Sequence, residues 1–421
     1  MEREQTQYDV LIIGAGASGL IAGGAAARTG ARTLVLEKMQ QPGRKLGLTG
    51  KGRCNLTNAS LSQSFLQRFG SGGRFLRPAF RKFSEKDLIS HLEKLGVPTV
   101  VERGYRVFPA SQKAGDVARA LKRWVLHSGA EMETNAPVRR IHTRQGRISG
   151  AQVLDGRILS AKTVILATGG ASYPATGSSG DGYSLARDLG HEVTPVRPGL
   201  VPLETAESIA SDLQGLSLRN AGVSLWIDGK RRKRQLGELM FTHFGLSGPV
   251  ILSLSSHVVD SLREGSKAEI GIDLKPALDE NKLENRLLRE LDSRGKQKMH
   301  NLMRALLPGK LVGVCLERTG IPPEKTGNQI SARERKRLRS WMKEIPFTVT
   351  GYRDFDEAIV TQGGVDLSQV DPRSMASRLV PGLYFAGEVL DIDADTGGYN
   401  LQAAFSTGWL AGDSAGREAG D

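Results

Sequence analysis

Short apolar runs, separated by a glycine-rich turn and an alanine-rich stretch, define the N-terminal part of the chain. Val10–Ile13 is fully apolar, a segment rich in alanine follows as far as Arg28, and a second apolar run covers Thr33–Leu36. Strands of a parallel sheet are buried on both faces and joined by crossover helices, so they produce this pattern. We predict a strand, a tight turn, a helix and a second strand over residues 8–37.

Apolar periodicity also predicts the elements that follow in the first half of the chain. The predicted helices are 85–95, with Ser84 as N-cap, and 116–128, and the predicted strands are 104–108, 137–143, 150–154 and 162–168. Residues 41–60 (QPGRKLGLTGKGRCNLTNAS) are rich in glycine and basic side chains and show no helical periodicity. We predict a long loop there.

The pattern changes near residue 192. Short alternating segments at 193–196, 223–227 and 267–272 are separated by prolines and glycines, and residues 281–343 then show helical periodicity. Alternation of apolar and polar residues is typical of antiparallel strands with one buried face. We predict a small antiparallel sheet or barrel, followed by helices, inserted into the first fold.

Three glycines, Gly14, Gly16 and Gly19, lie between the first predicted strand and its helix, and Glu37 ends the second strand. In such a unit the glycines turn the chain, admit a pyrophosphate to the backbone and let the helix pack closely. The helix N-terminus favours an anion, and the acidic residue accepts hydrogen bonds from an adenosine ribose. We predict a dinucleotide site; the alternative is a glycine-rich turn in an ordinary strand–helix–strand unit.

A second arrangement of strand, glycine loop and helix lies near the C-terminus. Leu383–Ala386 is apolar, Gly397 and Gly398 follow, and a small-residue helix begins near Leu401. Its N-terminal N–H groups would favour an electron-rich ring edge such as that of a flavin, which gains negative charge on reduction. We predict that both ends of the chain build one site. The chain has no second complete GxGxxG motif, so the sequence does not predict a separate nicotinamide domain.

Composition narrows the class of protein further. The chain has 421 residues, enough for two or three domains, and no apolar run of about eighteen residues that would span a membrane. The N-terminal MEREQTQYDV lacks the basic and apolar regions of an export signal. Two cysteines cannot form a disulfide framework, and no Cys/His cluster has metal-ligand spacing. We expect a cytoplasmic protein without a structural metal.

The net charge of +13 is unevenly distributed, being about +14 for residues 1–190, +7 for 191–345 and −8 for 346–421. Residues 41–83 hold nine Lys and Arg residues and no Asp or Glu. Such a field attracts polyanions such as RNA; the alternative is solubility together with a few contacts to cofactor phosphates. KRRKR at 230–234 indicates a charged hairpin tip or a solvated turn, and the basic helix at 331–339 either faces nucleic acid or is simply exposed.

Five motifs together resemble those of the BaiN/RdsA-type flavoproteins, which are FAD-binding relatives of the fumarate-reductase and glutathione-reductase flavin fold. They are GAGASGL (14–20), GRKLGLTGKGRCNLTN (43–58), LATGGASYPATGSSGDG (166–182), FTHFGLSGPVIL (241–252) and GLYFAGEVLDIDADTGGYNLQAAFSTG (382–408). The resemblance covers essentially the whole chain. One departure is Lys51, which stands where many members have the middle glycine of GGGRCN.

The resemblance implies an α/β fold in which a discontinuous, Rossmann-like FAD-binding domain carries an inserted β-barrel and a helical subdomain. The expected boundaries are residues 1–191 and 346–421 for the FAD-binding domain and 192–345 for the insertion, with the helices at about 275–343. The expected cofactor contacts are Gly14, Ala15, Gly16, Ser18, Gly19, Glu37, Lys38, Arg44, Gly52, Arg53, Asn55, Val138, Thr168, Gly169, Gly387, Glu388, Gly398, Asn400 and Leu401.

The family resemblance implies reduction of activated carbon–carbon double bonds, with bile-acid intermediates and uridine in ribosomal RNA among the substrates of its members. A hydride comes from the flavin, and the protein must supply a proton. Cys54 is the first candidate donor, although Lys51 and Arg53 beside it should favour its thiolate; the alternative is a buried, inert cysteine. Tyr399 and His243 are alternative donors or packing residues. Arg53 polarises a substrate carbonyl or binds cofactor phosphate.

Three functions are therefore compared. The leading one is an FAD-dependent reductase of uridine in ribosomal RNA, because a uracil ring is an enone-like system and the chain is basic. The second is a flavin-dependent oxidoreductase of a small metabolite, such as an enone, an enoate or an amine. The third is a flavin-stabilised, non-catalytic protein that binds ribosomes or RNA. NAD(P)H is considered as the electron donor, and the sequence leaves the oligomeric state open.

Overall fold

The computed structural model describes residues 7–60 and 62–420, and these form two compact units. The first unit runs up to Pro198 and resumes at Phe355, and the second is Gly199–Asp354. The domain boundaries expected from sequence lie a few residues away and stay a prediction. Residues 1–6, which include most of the segment read for an export signal, lie outside the described residues.

The N-terminal part of the first unit alternates strands and helices. Its elements are β1 (Gln7–Ile13), α1 (Ala17–Ala27), β2 (Thr33–Glu37), α2 (Arg44–Leu48), β3 (Thr57–Asn58), α3 (Ser62–Gln67), α4 (Gly72–Lys82), α5 (Glu85–Lys94), β4 (Thr99–Glu102), β5 (Arg106–Pro109), α6 (Ala114–His127), β6 (Glu131–Thr134), β7 (Val138–Arg144), β8 (Arg147–Val153), β9 (Ile158–Leu166), a 3₁₀ turn (Pro174–Thr176), α7 (Asp181–Asp188) and β10 (Arg197–Gly199), which spans the boundary.

The second unit contains a closed antiparallel barrel with strand order β11-β14-β13-β12-β15-β16, in which β11 also pairs with β16. Its elements are β11 (Leu203–Thr205), α8 (Ile209–Asp212), β12 (Ser217–Ile227), β13 (Lys230–Phe241), β14 (Gly245–Ser247), α9 (Pro249–Arg263), β15 (Ala268–Asp273), α10 (Glu280–Ser293), α11 (Met299–Leu302), α12 (Gly309–Thr319), α13 (Ala332–Lys343), β16 (Ile345–Tyr352) and 3₁₀ turns at Met303–Ala305 and Gly327–Gln329. The barrel interior and α10–α13 share one hydrophobic core.

The chain then completes the first unit. The remaining elements are β17 (Val360–Gln362), β18 (Leu383–Phe385), α14 (Tyr399–Gly420) and 3₁₀ turns at Leu367–Gln369 and Gly387–Val389. The main sheet has the order β6-β2-β1-β9-β8-β7, and β18 pairs in parallel with β9. Parallel pairing of β1 with both β2 and β9 confirms the predicted strand–helix–strand unit. A Rossmann-like α/β fold with an inserted barrel is therefore confirmed.

Three local predictions were wrong. The expected loop at 41–60 contains the helix α2 (Arg44–Leu48). Residues 193–196 form no strand, and Val193 makes only an isolated bridge with Val365. The hairpin turn is Asp228–Gly229, both at positive φ, and the basic residues 230–234 instead begin strand β13. An Asp-Gly pair is a strong two-residue turn signal, which outweighs the charge of the residues after it.

Two searches of the described residues complete the picture of the fold. No helix there is long and apolar enough to cross a bilayer. Across residues 7–60 and 62–420, no group of three or more His, Cys, Asp or Glu side chains is arranged to hold a metal ion.

Candidate functional site

The turn between β1 and α1 requires glycine at two positions and leaves a third one open. Gly14 has φ +101°, and a Cβ there would lie 2.6 Å from the carbonyl oxygen of Ala167. A Cβ on Gly19 would lie 1.8 Å from the carbonyl oxygen of Gly14. A Cβ on Gly16 would meet no atom within 4 Å. The fold therefore explains Gly14 and Gly19, whereas no neighbouring atom requires glycine at Gly16, as expected where a pyrophosphate approaches the backbone.

The N-terminus of α1 is suited to an anion. Gly16 is its N-cap and makes no side-chain cap, and the first turn carries no acidic residue. The unsatisfied N–H groups and the helix dipole both favour negative charge at such a terminus. The side chain of Ser18 is buried beside Gly387, where a Cβ would lie 2.5 Å from the Ser18 hydroxyl oxygen. The two ends of the chain thus meet at this turn.

Glu37 is held at the end of β2 by backbone donors. Its carboxylate accepts the N–H of Ala15 at 2.7 Å and the N–H of Met39 at 2.8 Å, and the side chain is buried. Each carboxylate oxygen can accept a further hydrogen bond, as a ribose hydroxyl requires. The ammonium group of the neighbouring Lys38 donates to the hydroxyl of Ser179 and to the carboxylate of Asp181, the latter at 2.5 Å.

A polar cluster that the sequence did not reveal joins four separate segments of the first unit. The ammonium group of Lys45 lies 2.7 Å from a carboxylate oxygen of Glu388 and also donates to the hydroxyl of Ser172. The other oxygen of Glu388 accepts the N–H of Thr361 at 2.8 Å. Glu388 was predicted, whereas Lys45, Ser172 and Thr361 were not. These partners lie up to 343 positions apart, beyond the reach of any local pattern.

Close backbone packing and side-chain hydrogen bonds fix the segments around the start of α14. A Cβ on Gly398 would lie 2.4 Å from the carbonyl oxygen of Thr57. The amide side chain of Asn400 accepts from the N–H of Ala394 and donates to the same residue's carbonyl oxygen. The N–H of Gly387 donates to the hydroxyl of Thr407 at 3.0 Å. Leu401 follows in the first turn of α14, half-buried.

Two of the residues predicted to contact the cofactor each have a buried polar atom without a hydrogen-bond partner among the described residues. These atoms are the hydroxyl oxygen of Thr168 and the side-chain oxygen of Asn55. Buried polar groups in native proteins nearly always have a partner. Gly169, next to Thr168, has φ +75°. Two orphaned polar atoms, the open space at Gly16 and the anion-favouring helix terminus together fit a polar dinucleotide cofactor.

The remaining predicted contacts are more peripheral. Arg44 begins α2 and is exposed, Gly52 is exposed with φ +81°, and Val138 begins β7. Lys51, which stands where many relatives have glycine, has φ +58° and is exposed. A left-handed backbone explains why glycine is the common residue there. The cofactor roles of all these residues stay a prediction.

The guanidinium group of Arg53 is engaged within the first unit. It donates to the side chains of Gln112 and Glu102 and lies 4.2 Å above the centre of the Phe108 ring. These contacts direct it toward β4 and β5. Its expected role toward a substrate carbonyl or a cofactor phosphate stays a prediction.

Cys54 is fully buried, with φ +61°. Burial raises the pKa of its thiol to about 12, and a hydrogen bond with Thr49 only partly offsets this effect. The expectation that Lys51 and Arg53 favour the thiolate was therefore wrong in direction, because Lys51 is exposed and Arg53 is paired with Glu102. At neutral pH Cys54 keeps its proton.

We expect both cysteines of the native protein to resist thiol reagents. Burial also raises the pKa of Cys315 to about 12, so neither residue offers the thiolate that reacts. Treatment with Ellman's reagent near pH 8 should release thionitrobenzoate only slowly before unfolding, and two equivalents per chain in guanidinium chloride. Rapid release of one equivalent from the native protein, absent in Cys54→Ala, would show that the Cys54 thiol is accessible.

Tyr399 begins α14 with its side chain buried against two aromatic rings, at centroid distances of 4.9 Å from Phe65 and 6.5 Å from Phe69. The other alternative donor, His243, is exposed in the second unit and contacts the ring of Phe244.

One acidic group was not predicted from the sequence. Asp393 accepts a hydrogen bond from Gln362 at 2.9 Å, and burial raises the pKa of its carboxyl.

Comparisons with known proteins identify the family of the chain. The family model described as the HI0933-like protein Rossmann domain matches residues 8–414. The 3-dehydro-bile acid delta(4,6)-reductase of Clostridium scindens is 31% identical over 407 residues, covering 96% of this chain and 98% of that protein. The ribosomal RNA dihydrouridine synthase of Escherichia coli K12 is 31% identical over 415 residues, covering 96% of each chain.

Solved structures show the same fold at low identity. A flavocytochrome c3 fumarate reductase in an open conformation matches with a TM-score of 0.53 and 16% identity, covering 99% of this chain and 79% of that one. The 3-ketosteroid delta1-dehydrogenase of Sterolibacterium denitrificans matches with a TM-score of 0.53 and 12% identity, covering 98% and 100%. The family model covers nearly the whole chain, and the residues of the predicted site fit the cofactor. The chain belongs to the HI0933-like Rossmann-domain family and is an FAD-dependent oxidoreductase.

Proposed function

We propose that this enzyme reduces an activated carbon–carbon double bond, and that its substrate is uridine in ribosomal RNA, which becomes dihydrouridine. The observation that carries the proposal is similarity to two ribosomal RNA dihydrouridine synthases over nearly the entire chain. The one from Escherichia coli is 31% identical, and the one from Haemophilus influenzae is 30% identical over 418 residues. Uridine suits a flavin reductase, since its C5–C6 double bond is conjugated with a carbonyl group.

The distribution of unpaired positive charge supports an RNA substrate. Arg74, Arg77 and Arg81 are exposed on one face of α4, because residues three and four positions apart lie on the same side of a helix. None of their three side chains makes an ion pair or a hydrogen bond with another residue of 7–60 or 62–420. They remain available for phosphate groups, which carry most of the affinity in nucleic-acid binding.

The basic helix α13 is less suited to RNA than its sequence indicates. Arg335 and Arg339 both donate to the carboxylate of Glu284, and Arg337 donates to the carbonyl oxygen of Thr319 at 2.7 Å. Arg333 and Lys336 stay exposed. Within the proposal, the surface at 41–83 therefore carries more of the RNA contact than residues 331–339.

FAD would be held at the α1 terminus, at Glu37 and at the loop before α14, and when bound and reduced it supplies the hydride. The chain must deliver a proton to the neighbouring carbon. Cys54 and Tyr399 stay the proposed donors, and Arg53 a proposed electrophile. Cys54 holds its proton at neutral pH, but a pKa of about 12 makes it a weak acid. Burial raises the pKa of the Asp393 carboxyl, which favours its protonated form, so Asp393 joins the candidates.

We expect cells that lack the gene to lose one dihydrouridine from ribosomal RNA, measured by mass spectrometry of the digested nucleosides. Complementation with the wild-type gene should restore it, because the enzyme supplies both the hydride and the proton. Loss that Cys54→Ala fails to restore would make Cys54 the required acid. Full restoration by Cys54→Ala would assign the proton to another group. An unchanged nucleoside profile would refute the proposed substrate.

A second candidate is the reduction of a small enone, enoate or amine, favoured by the bile-acid reductase that is 31% identical over 96% of this chain. RNA affinity that falls steeply with salt concentration distinguishes the first proposal from this one. A third is a non-catalytic, flavin-stabilised protein that binds ribosomes, in which Cys54 and Arg53 variants would keep the cellular role.

A cytoplasmic location and NAD(P)H as electron donor are part of the first proposal. Anaerobic bleaching of the flavin by NADH or NADPH tests the electron donor.

A further inference from the structure

The hairpin of β4 and β5 carries an exposed aromatic ring at its tip. Glu102 pairs with Arg106, so Arg103, Gly104 and Tyr105 form the connection. The side chain of Tyr105 is 64% exposed, and its backbone has φ +60°. A bulky residue in the left-handed region is uncommon. No packing within the first unit accounts for this ring, since most of its surface faces solvent.

Exposed basic residues lie next to the ring in sequence. Arg103 and Arg106 flank it in sequence, and both are exposed, as is Lys51 in the adjacent loop. The guanidinium group of Arg106 donates to the carbonyl oxygen of Arg103 at 3.1 Å, which keeps the two residues together. The nearby carboxylate of Glu102 is neutralised by Arg53. The tip therefore combines an aromatic face with uncompensated cations.

Hydrogen bonds fix this tip to the loop that leads into α14. The side-chain amide of Asn58 donates to the carbonyl oxygens of Gly104 and Gly397, each at 3.1 Å. The carbonyl oxygen of Tyr105 accepts the N–H of Ala59 at 2.7 Å. Gly397 immediately precedes Gly398, one of the residues predicted to hold the flavin. The backbone of the tip that carries Tyr105 is thus tied to the loop predicted to hold the flavin.

We propose that Tyr105 is a stacking platform for a base of a single-stranded or unpaired RNA segment, and that Arg103 and Arg106 contact its phosphates. The inference rests on the proposed RNA substrate. Bases stack on exposed aromatic rings whatever their sequence, and arginine adds phosphate contacts. A base stacked here would keep the strand unpaired next to the reacting uridine. A small enone would need no such platform, and the positive charge favours RNA over a protein partner.

The test compares Tyr105→Ala, Tyr105→Phe and Tyr105→Trp with the wild-type protein. The substrate is ribosomal RNA from cells lacking the gene, and product is quantified as dihydrouridine. Tyr105→Ala is expected to raise KM about tenfold or more, in line with the loss of one stacked base, whereas Phe and Trp retain a low KM. FAD content and the melting temperature show whether each variant is folded. Leu236→Ala, which truncates another exposed apolar side chain, serves as the control.

Binding of a single-stranded uridine oligonucleotide at several salt concentrations tests the arginines. Replacing Arg103 or Arg106 by Gln should reduce the slope of log affinity against log salt by about one each. An unchanged KM for a folded Tyr105→Ala protein would overturn the platform and leave the proposed function in place. Failure of the wild-type enzyme to modify any ribosomal RNA would overturn both. A Tyr105→Phe protein as impaired as Tyr105→Ala would also contradict stacking.

Discussion

Gly19→Ala is expected to abolish FAD binding and to destabilise the first unit. The added Cβ would lie 1.8 Å from the carbonyl oxygen of Gly14, and both atoms belong to the same tight turn. Since neither is the end of a flexible side chain, α1 must move away from β1. Overpacking a core usually costs about 1–3 kcal/mol, and a clash between backbone groups should reach at least the upper part of that range. The measurements are FAD content of the purified protein and its melting temperature.

Gly16→Ala provides the matched control, because the same methyl group added at the N-cap of α1 meets no protein atom within 4 Å. We expect its apoprotein to melt near the wild-type temperature while FAD occupancy falls, since the methyl enters the space predicted for the pyrophosphate. The effects on stability and on cofactor binding would then be separated at two glycines three positions apart. Normal FAD content in Gly16→Ala would show that the pyrophosphate lies elsewhere, and normal stability in Gly19→Ala would contradict the packing argument.

Gly412→Ala, in the middle of α14, should lower the free energy of unfolding by a similar amount. A Cβ at this position would lie 2.3 Å from the carbonyl oxygen of Ala22 in α1. One turn earlier, a Cβ on Gly408 would lie 2.4 Å from the carbonyl oxygen of Ser18. The two helices are therefore in contact along a line of glycines. This contact joins the first and last helices of the unit. Chemical denaturation followed by circular dichroism measures the effect.

Gly420→Ala is the control for that experiment, because a Cβ on Gly420, in the same helix, would meet nothing within 4 Å. Its expected effect is within a few tenths of a kcal/mol of zero or slightly stabilising, as alanine is a better helix former than glycine. Equal destabilisation by the two substitutions would mean that glycine at 412 serves some purpose other than close packing.

Sequence patterns predicted those helices that are determined by interactions between residues close together in the chain. Ser84 caps α5 as expected, and its hydroxyl and the Asp87 side chain form reciprocal hydrogen bonds with each other's backbone. The helix predicted at 116–128 is observed as α6, Ala114–His127. These elements depend on caps and on apolar periodicity within about fifteen residues, information that the sequence carries directly. The five-residue helix α2 was missed because it is too short to show a period.

The electrostatics of single side chains could not be predicted in the same way. Cys54 lies between basic neighbours in sequence, yet its pKa is set by burial. Two of the basic residues of α13, Arg335 and Arg339, are paired with Glu284, about fifty positions earlier in the chain. Partners of this kind are brought together only by tertiary packing, and burial changes the free energy of a charge more than a neighbouring residue on the surface does.

The sequence alone determined the nucleotide-binding unit of this protein, because the spacing of Gly14, Gly16, Gly19 and Glu37 follows from a single turn and two adjacent strands. Tertiary structure decided what surrounds that unit. It paired Lys45 with Glu388, turned Arg53 toward Phe108 and left Tyr105 in solvent beside the loop before α14. The physical reason is the distance along the chain over which each effect acts. Backbone geometry depends on a few consecutive residues, whereas burial and ion pairing depend on segments that meet only in the folded chain.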